Sequence, residues 1–188
     1  MDGITLLIVA AVVVGLFLLV TFNTLVGRRN KVRNAFGTVD VLLKKRYDLI
    51  PNLVATVQGY MQHERTVLQQ ITDLRSRAMG GPLPPEQLFR VNAQLGQLLG
   101  GVRAAIENYP QLKASQNALQ LQAALNEVEE QISAGRRAYN AAVTDLNNAL
   151  EMFPSNLVGS LFGFQKAVFF EAGEAERGAV PVQLGGAP

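Results

Sequence analysis

Between Asp2 and Arg28 the chain carries no charged side chain, and the stretch ITLLIVAAVVVGLFLLV, Ile4 to Val20, is almost wholly aliphatic. An apolar run of this length constrains the fold more than any other feature, because it matches the ~20 helical residues that cross the ~30 Å hydrocarbon of a bilayer. Inside that hydrocarbon every backbone N–H and C=O must be satisfied within the segment, which for a single run means a helix. Residues 1–27 are therefore expected to form a transmembrane anchor. A cleaved signal peptide fits poorly, since the start Met-Asp-Gly lacks a basic region and the apolar run ends in basic residues instead of a small-residue cleavage site.

The flanks give an orientation. Arg28, Arg29, Lys31 and Arg33 follow the run closely, whereas Asp2 precedes it. By the positive-inside rule the domain after the run is expected in the cytoplasm and the short N-terminus outside. The same four residues are candidate contacts for membrane lipid, at about 1 kcal/mol per basic side chain near an anionic surface.

Beyond residue 27 the hydrophobic pattern is helical throughout. Val32, Phe36, Val39, Leu43 and Tyr47 recur at intervals of three and four, as do Leu88, Val91, Leu95, Leu98, Val102 and Ile106. A longer stripe runs Leu121, Leu125, Val128, Ile132, Gly135, Tyr139, Val143, Leu146, Leu150 and Phe153, close to a sustained heptad. No window alternates with period two, so the class is all-α. With 188 residues the chain can bury one modest core. A net charge of +2, with no basic stripe interleaved with aromatics, argues against nucleic acid. The absence of cysteine excludes disulfides and thiolate metal sites.

Punctuation sets the expected boundaries: an anchor over 1–27, a helical bundle over 28–153, an aromatic-rich helical extension over 154–171 and a flexible tail over 172–188. MGGPLPPEQ reads as a loop whose Pro85 opens a helix, and YPQLKAS and FPSNL read as further breaks. KKRYDLIPNLV, Lys44 to Val54, is the ambiguous one. Either Tyr47, Asp48 and Pro51 form a corner at which the chain reverses, or Pro51 sits inside one continuous helix and kinks it at about 3 kcal/mol. The bias of a residue preceding proline away from α geometry favours the corner. Lys44, Lys45 and Arg46 would then complement the C-terminal dipole of the helix they end.

The segments FNTLVGRRNKVRNAF, VDVLLKKRYDLIPNLVATVQGYMQHE, YPQLKASQNALQLQAALNEVEEQISAGRRAYNAAV and FPSNLVGSLFGFQKAVFFE, in this order from about Thr21 to Glu171, resemble the LemA family of bacterial membrane proteins. Departures are small: Phe36 stands where the family usually has tryptophan, Tyr47 where histidine is common, and Phe22 and Leu146 where tyrosine often precedes asparagine. The resemblance implies an N-terminal membrane anchor in the bacterial inner membrane and an antiparallel up-down four-helix bundle with long amphipathic helices. It implies no established activity, and some relatives are linked to organelle-like membrane structures in magnetotactic bacteria.

Catalytic constellations are not found. His63 and Glu64 begin a zincin-like HE, but the second histidine is absent and His63 is the single histidine of the chain. Ser160 has no triad, and Glu127, Glu129 and Glu130 lack the Glu-x-x-His partners of a di-metal site. Neither a cofactor nor an enzyme activity is expected. Arg136 and Arg137 lie beside the long stripe, and with Asp40 and Asp48 they are candidates for a polar lock; an ordinary surface salt bridge is the plainer reading. Leu161, Phe162, Phe164, Phe169 and Phe170 are too apolar for a solvated helix. They must cover the bundle, lie at the membrane surface or pack on another subunit. The expected function is a membrane-anchored scaffold that self-associates as a homo-oligomer and organises membrane or recruits partners. The alternative is an accessory subunit of another membrane protein, such as a protease or transporter.

Overall fold

The computed structural model describes residues 2–171; the expected tail at 172–188 lies outside them. The described residues contain helices and no strand: α1 (Gly3–Val57), α2 (Arg65–Met79), α3 (Pro85–Ile106), α4 (Pro110–Lys113), α5 (Gln116–Glu151) and α6 (Ser155–Leu161). The all-α class read from the stripes is thus observed. Two compact units share the chain. Of the described residues, one takes 2–46 and 127–169, the other 47–126 together with 170–171, so α1 and α5 each contribute to both.

In the first unit α1 and α5 pair antiparallel. Arg46 meets Glu129, Val39 and Leu42 meet Gly135, Phe36 meets Tyr139, and Arg28 meets Asp145, so numbers fall along one helix as they rise along the other. The stripe residues Val128, Ile132, Tyr139, Val143 and Leu146 are buried, as are Leu25, Val32, Val39 and Leu43 on α1. Gly135 permits the close approach: a Cβ there would lie 3.2 Å from Leu42 Cδ1 and 3.4 Å from Val39 Cγ2.

In the second unit, α2 and α3 form a helical hairpin across residues 80–84, with Pro85 at the first helical position as its spacing predicts. Leu68, Ile71 and Leu74 are buried on α2, and Leu88, Phe89, Leu95, Leu99, Val102 and Ile106 on α3.

Two sequence expectations are corrected. The corner at Tyr47, Asp48 and Pro51 does not form, since α1 carries Pro51 in its interior and ends at Val57, after which residues 58–64 make the turn. Proline at position 51 supplies no N–H to the carbonyl of Tyr47, its helical i−4 acceptor. Arg75 of α2 replaces that donor, its Nε bonding the Tyr47 carbonyl at 2.9 Å. With the carbonyl satisfied, the proline costs the helix less than a break would. Lys44, Lys45 and Arg46 accordingly sit mid-helix and serve no C-terminal dipole.

The helical extension over 154–171 is likewise shorter than expected. α6 ends at Leu161, where Gly163 takes φ 68° and the amides of Gly163 and Phe164 bond the carbonyls of Ser160 and Gly159. That pairing is a Schellman C-cap, and the left-handed glycine it requires turns the chain out of the helix. Phe164 to Glu171 then run without regular structure.

Candidate functional site

The apolar run is exposed on every face. Ile4 is 73% accessible, Leu7 70% and Val20 66%, and the most apolar window of α1 has none of its residues buried. By length and composition this helix can cross a membrane. Its last turns are covered on one side. Leu25, Ala149 and Val158 form a small buried cluster, against which Leu18, Phe22, Leu150 and Phe164 pack. The Phe22 ring lies 4.9 Å from that of Phe162 and 5.7 Å from that of Phe164. Ser155 helps close the α5–α6 corner, its hydroxyl reaching the carbonyls of Ala149 at 2.6 Å and Met152 at 3.0 Å. It therefore serves the end of α5 and gives α6 no side-chain cap.

The basic cluster divides in two. Arg28 donates from Nη1 to the Asp145 carbonyl at 2.7 Å, and the Arg29 guanidinium lies 5.1 Å from the centre of the Phe164 ring. Lys31 and Arg33 are exposed. The aromatic set divides as well. Leu161 and Phe162 remain 70% and 52% exposed and Phe169 is partly open, whereas Phe164 is half-buried beside Phe22. Phe170 is buried and stacks on Phe89 at 4.1 Å, so it belongs to the core of the second unit and not to a contact surface.

The polar candidates differ in exposure and contacts. Asp40 and Asp48 are exposed, and Arg137 bonds Ser133 within its own helix at 2.9 Å. Arg136 is half-buried. A polar lock is formed by Arg46, the buried charged side chain among the described residues, which bonds both carboxylate oxygens of Glu129 at 2.9 and 3.2 Å. Lys45 bonds Glu127 beside it at 3.3 Å. These two glutamates flank Val128, which is wholly buried. Glu127 and Glu129 thus clasp Lys45 and Arg46 across the α1–α5 seam. The residue type was legible; the partner was not, because i and i±1 around a buried position point to opposite sides of a seam whose register only packing sets.

Two further polar residues escaped the sequence reading. Asn147 bonds the backbone of Ala167 twice, accepting from its N–H at 2.9 Å and donating to its carbonyl at 3.0 Å. Tyr139 donates to the Val168 carbonyl at 2.8 Å. Together they hold the irregular segment after α6 along α5, and burial raises the Tyr139 phenol above the ordinary tyrosine range. In the second unit the Tyr109 hydroxyl bonds the Glu64 carboxylate at 3.1 and 3.2 Å, and desolvation followed by that carboxylate raises its pKa too. No group of three metal-ligating side chains occurs among the described residues.

An all-α fold with a long, bare, apolar N-terminal helix, clasped to α5 through Arg28, Lys45 and Arg46, is that of a membrane-associated helical protein. The LemA family profile matches residues 35–184, four-fifths of the chain, and the chain belongs to the LemA family. It is similar to a LemA protein of Metamycoplasma hominis, 27% identical over 155 residues that cover 82% of this chain and 71% of that one. It is also similar to magnetosome protein MamQ 2 of Paramagnetospirillum magneticum, 24% identical over 190 residues covering 88% and 69% of the two chains. Magnetosome protein MamQ of Magnetospirillum gryphiswaldense is 22% identical with the same coverage. None of these names denotes an enzyme.

Proposed function

We propose that this protein is a single-pass scaffold without catalytic activity, anchored in the bacterial inner membrane by residues 3–27, with the remaining domain in the cytoplasm. On this reading it binds membrane lipid, self-associates, and organises membrane or recruits other membrane proteins, its helices folding as an antiparallel four-helix bundle. The observation that carries it is the junction of α1: one helix runs from the exposed apolar stretch into the α1–α5 seam without a break. An unbroken helix of this kind sets the direction of the α1–α5 seam relative to the spanning stretch, which suits a scaffold built on the membrane. The relatives named as magnetosome proteins support the membrane-organising part.

Gentle solubilisation followed by mass measurement tests the reading. A large homogeneous homo-oligomer supports the scaffold, whereas a monomer recovered only with a second membrane protein would replace it with an accessory-subunit role. The natural absence of cysteine makes the orientation easy to examine. Gly3→Cys should react with an impermeant thiol reagent in intact cells and Gln94→Cys should not.

A further inference from the structure

The exposed side of the α5–α6 corner has no counterpart in the helical seams. Phe153 is 79% accessible, Leu161 70%, Met152 63%, Leu157 59% and Phe162 52%. From Met152 to Gln165 there is no charged residue, and the charges that bound this stretch, Glu151 and Lys166, bond each other at 2.6 Å. The hydroxyls of Ser155 and Ser160 are spent on nearby carbonyls, and the Oδ1 of Asn156, which has no hydrogen-bond partner among the described residues, is buried away from the exposed side.

We infer that this corner is a second bilayer contact, lying in the interfacial layer of the leaflet from which α1 emerges. The inference rests on the reading that α1 crosses the membrane. Its ground is depth. α6 packs on Leu25 through Val158 and Gly159, and Phe162 packs on Phe22, with Leu18 in the same cluster. Starting after Asp2, about 20 helical residues fill the hydrocarbon, which brings Phe22 to its boundary and leaves Leu18 inside it. Counting from the other end gives the same level, since Arg28 at the headgroups puts Phe22 roughly 9 Å deeper at 1.5 Å per residue. A corner fastened to Leu18, Phe22 and Leu25 is thereby held at the edge of the hydrocarbon, where aromatic side chains concentrate. The Arg29 guanidinium over Phe164 and the Lys166–Glu151 pair then stand at headgroup height. An apolar wedge in one leaflet beside a spanning helix fixes the tilt of the α1–α5 pair and adds area to that leaflet alone.

The chain has no tryptophan, so a single introduced indole reports without background. Full-length protein is reconstituted in phosphatidylcholine–phosphatidylglycerol vesicles containing lipid brominated near the top of the acyl chains. Phe162→Trp and, as a second probe on a more open position, Leu161→Trp should be quenched at least as strongly as Leu16→Trp, which lies deeper in the apolar run. Val41→Trp, exposed on α1 beyond the basic cluster, should keep its emission. Corner probes as insensitive to bromine as Val41→Trp, with Leu16→Trp quenched, would overturn the inference while leaving the span intact. Corner probes shielded from acrylamide but not quenched by bromine would overturn it in favour of a second copy of the chain. If Leu16→Trp itself is unquenched, the spanning reading fails, and the inference with it.

Discussion

Arg75 and the carbonyl of Tyr47 lie 2.9 Å apart, and that contact explains how a proline occupies the interior of α1. Pro51 leaves the carbonyl four residues earlier without its helical donor, and the guanidinium from α2 supplies one. The helix end is displaced to Val57 as a result.

Replacing Arg75 by methionine should cost about 2 kcal/mol in denaturant unfolding, the usual loss for a charged donor to a partly buried acceptor. In a Pro51→Ala background the restored backbone amide bonds the same carbonyl, and the cost of Arg75→Met should fall by more than half. Equal costs in the two backgrounds would show that Arg75 acts by packing alone.

The Arg46–Glu129 pair calls for a double-mutant cycle. Glu129→Met removes two carboxylate bonds from a guanidinium that is 3% exposed, and should cost about 1–3 kcal/mol, towards the lower end because Glu129 stays a third open to water. Adding Arg46→Met should recover part of that loss, since an apolar pair of similar volume avoids the desolvation of both charges. Strictly additive losses would mean that the two side chains are energetically independent.

Asn147 holds the returning segment through the Ala167 backbone. Asn147→Asp keeps the acceptor for the Ala167 amide but sets a carboxylate against the Ala167 carbonyl, and Asn147→Leu loses both bonds. Hydrogen exchange at Ala167 should accelerate in both, with a stability loss of about 1–2 kcal/mol. Unchanged protection would place the hold in the aromatic contacts instead.

Tyr139 gives a pH dependence whose sign follows from burial. Its folded pKa is raised above 10.0, so the neutral phenol is favoured in the native state. The contribution is complete below the unfolded value and declines as pH climbs through the folded one. Alkaline unfolding between pH 9 and roughly 11 should therefore be shallower in Tyr139→Phe, which lacks the Val168 bond at every pH. Parallel profiles for the two proteins would remove Tyr139 from the account.

The sequence by itself determined whatever rests on local composition and period. The charge-free run is legible because hydrophobicity and length act without reference to any partner, and the buried stripe from Leu121 to Leu146 is legible because a helix repeats its core-facing positions every three to four residues. Pro85 and the loop before it followed from proline's missing N–H. What the tertiary structure decided are the positions where one residue's fate depends on another far along the chain. Pro51 reads as a break until Arg75 is seen 24 positions later, and nothing in KKRYDLIPNLV announces that donor. Arg46 and Lys45 read as a dipole cluster until the register of the seam, fixed by Gly135 against Val39 and Leu42, sets Glu129 and Glu127 opposite them. The aromatic extension reads as helix until Gly163 caps it and Asn147 captures the chain beyond. Hydrophobic period is a property of one helix, whereas the pairing of a carbonyl, a guanidinium or an amide is a property of two elements brought together by packing.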